Sequence, residues 1–208
     1  MLENMREIGR VKQVQVQRTG LKPGDRLRTY YDPSPLLVVD QALVSAEGVI
    51  GVTDDGERVL DVHHMQHPQT RNSGGKNGVS IGFTSHYDAM RTRLNPRLAD
   101  GCAGENILIE AERSFALADL GGEVALQSAA TGEVLYLARL KVAAPCIEFS
   151  QYAANDGMPM AGRALKETLQ FLDEGRRGFY ATATNQHEPV SIRAGDRVFV
   201  AVAGQEDW

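Results

Sequence analysis

Val11, Val14 and Val16 stand among Lys12, Gln13, Gln15 and Gln17, close to the period-two alternation of a half-buried strand. Apolar runs at Leu36-Leu37-Val38-Val39, Val49-Ile50-Gly51-Val52 and Val59-Leu60 follow at short intervals. Asp54-Asp55-Gly56, between the last two, is a hairpin turn signal. Further strands are predicted at 106–109, 123–126, 134–142, 179–183 and 198–202. Short strands at this spacing, with turns supplied by 21 glycines, predict a β-rich barrel or sandwich.

Two stretches break the strand pattern with helical spacing. Tyr87, Met90, Arg91 and Leu94 predict a helix that Ser85 caps, with Asp88 as a shortened capping box and Asn95-Pro96 as the stop. Leu165, Leu169 and Leu172 mark one face of a second helix over 162–174, closed by Gly175. Arg176 and Arg177 then fall where cations favour the negative helix end. There is no internal repeat, low-complexity segment or clear domain boundary, so the 208 residues read as one domain.

One stretch changes character part-way. Val142, Ile147 and Phe149 are strand-favouring types, but Pro145 cannot donate to a ladder, so the chain must bend or bulge there. Cys146 follows the break. A cysteine placed so either points its sulfur into a cavity or is inert packing among apolar neighbours.

The net charge of −5 argues against a non-specific nucleic-acid binder, which needs a basic face. No apolar run approaches the roughly 20 residues of a membrane span. The first seven residues lack the apolar core of a secretory signal. Two cysteines in such a chain suggest free thiols and a cytoplasmic setting.

Four stretches carry unusual polar groups. His63, His64 and His67 lie within five positions, either as metal ligands short of a third or fourth partner or as hydrogen-bonded loop histidines. Arg71-Asn72-Ser73-Gly74-Gly75-Lys76-Asn77-Gly78 offers backbone N–H groups and two cations, so it either cradles an anion or is a solvated turn. Its spacing is not that of a P-loop. Glu105 and Asn106 open an apolar strand, where they either fix a ligand or close a turn. Arg176 and Arg177 either stabilise the helix end or meet a phosphate.

Taken in order, these pieces resemble MOSC domains, the molybdenum-cofactor sulfurase C-terminal domains. The resemblance is carried by Gly104-Glu105-Asn106 at a strand entrance, Pro145-Cys146, Arg176-Arg177-Gly178 with Tyr180 and Ala181, and Gly195-Asp196-Arg197-Val198. It runs from about 38 to 202. Its first half fits less well, with Val59-Leu60-Asp61-Val62-His63-His64 in place of a Gly-Asp-x-His-like stretch.

The resemblance implies a mainly β fold, a distorted barrel of the MOSC type with a few peripheral helices. It implies the molybdenum cofactor (molybdopterin), with Cys146 as catalytic residue and metal ligand. His63, His64, Arg71, Lys76, Glu105, Asn106, Arg176 and Arg177 are then the candidate cofactor-binding residues. Relatives of this kind reduce N-hydroxylated compounds such as amidoximes; in others the cysteine carries sulfur as a persulfide for metal–sulfur assembly. A non-enzymatic cofactor-binding module is a third reading, and pyridoxal phosphate binding is also associated with the family. The bottom-up chemistry agrees, because a soft thiolate suits a soft redox metal. With only Cys102 and Cys146 there is no fused iron–sulfur cluster. A reductase of this kind draws electrons from an external donor protein and acts on a small-molecule substrate, with no nucleic acid or membrane partner.

Overall fold

The computed structural model describes residues 2, 4–25, 28–72, 74–184 and 188–202; Ser73 of the candidate anion loop lies outside them. The chain runs β1 (Met5–Gln17), β2 (Leu36–Val39), β3 (Gln41–Ser45), β4 (Gly48–Val52), β5 (Arg58–Leu60), β6 (Val79–Phe83), α1 (Thr84–Arg93) and β7 (Ile107–Glu110). A short 3-10 turn (Leu117–Leu120) precedes β8 (Glu123–Gln127) and β9 (Val134–Val142). Then come α2 (Ile147–Asn155), α3 (Gly162–Leu172), β10 (Phe179–Ala183), β11 (Val190–Ile192) and β12 (Arg197–Ala201).

Seven strands close a barrel in the order β1-β12-β8-β9-β10-β6-β7, with β7 returning to β1. An odd ring cannot alternate direction throughout, so one neighbouring pair must be parallel. That pair is β6 and β7, where Ile81 faces Ile107 and Phe83 faces Ile109. Parallel neighbours need a long crossover, and residues 84–106 provide it with α1 at its start.

β1 serves three partners in turn, β12, β7 and β2. Register shifts between Glu7 and Gly9 and between Val11 and Gln13 bend it from one to the next. A second sheet, β11-β3-β4-β5, packs against the barrel. Val44, Val49, Val190 and Ile192 of that sheet join Val14, Val16, Ile81, Ile107 and Leu126 of the barrel in one core.

A second apolar cluster lies under the three helices and gathers Leu21, Tyr31, Tyr87, Met90, Cys102, Leu108, Phe149 and Leu172. The two clusters meet a buried polar seam. Asp61, fully buried, accepts from Gln17 N–H (2.7 Å) and Asn106 Nδ2 (2.8 Å) on one oxygen. Its other oxygen takes His63 N–H (2.8 Å) and His63 Nδ1 (2.9 Å). Asn106 in turn accepts from the Ser80 N–H and hydroxyl and donates toward the Gln15 carbonyl. One carboxylate and one amide thus tie β1, β5, β6 and β7 together.

Several local expectations need correction. Ile147 and Phe149 are helical, not extended: Phe149 is fully buried against Tyr31, and this packing overrides strand propensity. Ser85 does not cap α1, which starts directly from β6 at Thr84; its hydroxyl donates to the Arg113 carbonyl instead (3.0 Å). β3, β6, β11 and α2 have no clear counterpart in the sequence pattern.

Asp61→Ala is expected to cost about 3 kcal/mol or more, because it strands several buried donors at once. Urea unfolding checks this; a loss below about 1 kcal/mol would mean that the seam is only accessory.

Candidate functional site

Pro145 ends the run from β9, and Cys146 becomes the N-cap of α2 with extended backbone (φ −113°, ψ 161°). Its sulfur accepts from the Phe149 N–H at 3.5 Å, doing the work that a serine oxygen usually does at a helix start. The Ser150 hydroxyl donates to the Cys146 carbonyl (2.8 Å). The thiol is half-buried, at the positive end of α2.

The neighbouring segment is held by the chain that follows α3. Ala143 N–H donates to the Gly178 carbonyl (3.0 Å), and Arg177 Nη1 donates to the Ala144 carbonyl (2.9 Å). Arg177 also lies over the Phe149 ring at 5.1 Å. Gly178 takes φ +89°, and a Cβ there would stand 2.5 Å from the Ile81 carbonyl oxygen. Only glycine turns the chain here.

Arg177 is the electrostatic hub. Burial works against its charge, yet nearby Tyr31, Cys146, Tyr180 and Glu105 hold its pKa above the usual guanidinium value. Its Nε is buried without a partner among the described residues. Glu148, in the first turn of α2, contacts the Cys146 thiol. Burial opposes its charge, but its own backbone N–H, that thiol, the Thr29 hydroxyl and Lys22 hold the carboxyl below its ordinary range.

Glu105 is 2% exposed beneath this surface. Tyr87 donates to its Oε2 at 2.7 Å while accepting the Ala103 N–H at 3.0 Å. Its Oε1 has no partner among the described residues. Gly82 gives it room, since a Cβ there would lie 2.5 Å from that oxygen. Burial raises the carboxyl to about 7. With Oε2 accepting from tyrosine, a bound proton belongs on Oε1.

The other candidates are placed variously. Asn106 is buried in the Asp61 seam. His63 is half-buried, held by Asp61, with its ring 6.2 Å from Tyr180. His64 is buried, burial lowers its pKa, and its Nδ1 accepts from the Gln66 N–H (3.2 Å). His67 points elsewhere, to the Arg18 carbonyl and the Gln69 N–H. Among the described residues no group of three or more His, Cys, Asp or Glu is arranged to hold a metal ion. Arg71 and Lys76 are exposed; their loop is fastened to His63 through Asn72 Nδ2 (3.1 Å). Arg176 turns away from Cys146, donating to the Phe171 carbonyl at the end of α3 (2.6 Å) and pairing with Glu174.

A model of the MOSC domain matches residues 68–199. The chain belongs to the MOSC domain family. The match includes Cys146, Glu105 and Arg177 and leaves out His63, His64 and Asp61. The YuaD protein from Bacillus subtilis is a structural neighbour, at a TM-score of 0.58 and 12% identity over 96% of this chain and 98% of that one. A hypothetical protein aligns at 0.53 and 10%, over 96% and 71%. YiiM from Geobacillus stearothermophilus aligns at 0.48 and 12%, over 98% and 77%. At these identities the two higher-scoring neighbours speak to the fold alone. No curated protein matches the chain.

Tyr31, Asp61 and Glu148 border this neighbourhood but were not among the candidate residues. Tyr31 sits in an irregular stretch with no periodic signal; its hydroxyl donates to the Cys102 carbonyl (2.8 Å) and its ring meets Phe149 at 5.0 Å. Asp61 had a signal, a carboxylate two positions before a histidine. Glu148 had one too, at the third position after Pro145.

Two outcomes follow. Cys146 is expected to take iodoacetamide at pH 7 while Cys102 is spared, because burial pushes the 4%-exposed Cys102 thiol up to about 12. Peptide mapping reads this, and label mainly on Cys102 would refute the assignment. Glu105 has a raised folded pKa, so its contribution to stability is complete below the unfolded value of 4.5 and lost as pH rises through about 7. Urea unfolding at pH 5 and pH 8 should show a loss of up to about 3 kcal/mol that Glu105→Gln abolishes. An unchanged pH dependence in the variant would assign it elsewhere.

Proposed function

We propose that this MOSC protein is a molybdenum-cofactor-dependent oxidoreductase that reduces N-hydroxylated compounds, with the Cys146 thiolate as the protein's ligand to the metal. The family is associated with the molybdenum cofactor. What supports the finer reading is the setting of Cys146: a half-buried soft donor at a helix N-terminus, facing a guanidinium with an unused Nε. A metal carried by an organic cofactor brings its own ligands and asks little more of the protein than one thiolate, so the donor set fits. The Arg177 guanidinium, whose Nε has no partner among the described residues, is the cation near Cys146 that suits an anionic guest.

The cofactor, when bound, supplies the two-electron redox chemistry. Cys146 would hold the metal, and Arg177 would balance anionic charge beside it. Arg71 and Lys76, exposed on the glycine-rich loop, would meet the cofactor phosphate. His63 would be oriented toward the Tyr180 side by Asp61. Reducing R–NH–OH to R–NH2 and water consumes two electrons and two protons, and Glu105 can hold one proton at Oε1. The electrons would come from a donor protein, since the chain has only two cysteines for redox centres of its own.

A second reading, transfer of sulfur through a Cys146 persulfide, draws on the same half-buried thiol. Cys102 gives it no help, because its buried, strongly protonated thiol is a poor resolving partner.

Elemental analysis of protein made in cells that assemble the cofactor separates the two. Stoichiometric molybdenum is expected in the wild type and its loss in Cys146→Ala, with thermal stability little changed. Metal-free wild-type protein carrying cyanide-labile sulfur would favour the persulfide reading. Molybdenum retained in Cys146→Ala would remove the thiolate ligand.

A further inference from the structure

The reduction proposed above consumes two protons, and Glu105 is sealed from solvent. Passing protons from water to a substrate needs a further group that is open to solvent and held in one direction. His63 has that setting. Its side chain is 30% exposed, while its partner Asp61 is fully buried.

Three contacts fix the residue. Asp61 Oδ1 accepts from the His63 N–H (2.8 Å) and from the ring Nδ1 (2.9 Å), and the His63 carbonyl accepts from Asn72 Nδ2 (3.1 Å). The other Asp61 oxygen is taken by the Gln17 N–H and Asn106 Nδ2. A carboxylate can only accept, so the ring hydrogen sits on Nδ1, and Nε2 is left without a partner among the described residues. Nδ1 donates to Asp61 whether the ring is neutral or cationic, so Nε2 can gain and lose a proton without the ring turning. The other described histidines differ. His64 and His86 are 2% exposed, and His67 uses both ring nitrogens, on the Arg18 carbonyl and the Gln69 N–H.

The ring also stands on the face that leads to Cys146. β10 buries Phe179, Ala181 and Ala183 in the barrel core, so Tyr180 and Thr182 share its outer face. There Tyr180 lies opposite Ser80 of β6 and Lys141 of β9, with the Lys141 ammonium 5.9 Å from its ring. The Ser80 hydroxyl reaches Asn106, and Asn106 reaches Asp61. Thr182 donates to the Lys76 carbonyl (2.6 Å), which brings the glycine-rich loop to the same face. His63 meets Tyr180 at 6.2 Å between ring centres. Tyr180 and Cys146 both favour the charge of Arg177, which holds the Ala144 carbonyl two residues before the thiol.

We propose that His63 is the proton donor of the reaction, its Nε2–H giving a proton to the hydroxyl oxygen of a bound N-hydroxylated substrate. This role rests on the reductase reading. As R–NH–OH becomes R–NH2, the N–O bond breaks and the oxygen leaves as water, carrying the proton from Nε2. The second proton ends on nitrogen, and both electrons come from the external donor. Solvent returns a proton to Nε2 across the exposed part of the ring. Asp61 acts only through the imidazole, as a positioning residue.

The test compares wild type with His63→Asn, both made in cells that assemble the cofactor. Asn Nδ2 can donate to Asp61 as the ring Nδ1 does, so the variant keeps the buried seam and removes Nε2. Molybdenum content and thermal stability should match the wild type. Turnover of phenylhydroxylamine to aniline, driven by reduced methyl viologen, should fall about 100-fold in kcat with KM little changed, the lower end of general acid–base contributions. Loss of molybdenum in the variant would make His63 a cofactor anchor instead, and an unchanged kcat with molybdenum retained would leave it no proton role. A metal-free or inactive wild type would overturn the reductase reading and this role with it, a result distinct from an active wild type and an unaffected variant. Metal-free protein gives a readout without turnover: diethyl pyrocarbonate should acylate His63 before His64, His67 and His86, as read by peptide mapping. Acylation of any of those three ahead of His63 would overturn the free Nε2.

Discussion

The buried carboxylate of Asp61 is the constraint on which the rest of the structure depends. A charge at zero exposure is tolerable only when each lone pair meets a donor. Here the donors come from Gln17, His63 and Asn106, on separate parts of the chain. Satisfying one carboxylate therefore sets where the small sheet meets the barrel. It also fixes the direction of His63 and places Asn106 so that Glu105, one residue earlier, turns to the helix side of β7. The position of the candidate site follows from this packing.

The helix side is organised differently, by shape. Tyr31, Phe149 and Tyr152 pack edge to face and tilted, and Arg177 closes over Phe149. Such a cluster keeps α2 against the barrel at the residue where its N-terminus must present Cys146. Glycines at 82 and 178 remove the two Cβ atoms that would otherwise press on Glu105. The result is a thiol, a carboxyl near neutrality and a guanidinium in one neighbourhood, each with capacity left over. That leftover valence marks a binding site better than residue identity does.

The paired arginines illustrate how adjacent positions part company. Arg176 behaves as a helix-end cation, bonded to a carbonyl of the last turn of α3 and paired with Glu174. Arg177 leaves the helix end and crosses to Ala144 and Phe149. Gly178 makes this possible, because its positive φ reverses the chain immediately after. Two residues that look alike in sequence thus meet different surroundings.

Strand alternation, turn glycines and helix stripes were enough to determine that this chain is β-rich with peripheral helices. The order of Gly104-Glu105-Asn106, Pro145-Cys146 and Arg176-Arg177-Gly178 was enough to place it among MOSC domains. These signals are local, set by side-chain periodicity and by backbone needs of glycine and proline. Tertiary structure alone decided that Phe149 is helical, that Glu105 is sealed against Tyr87 and that Arg176 faces away from Cys146. It also left His86 Nδ1 buried without a partner among the described residues. Burial and partnership join residues far apart in the chain, and a short window of sequence carries no record of which distant group will arrive.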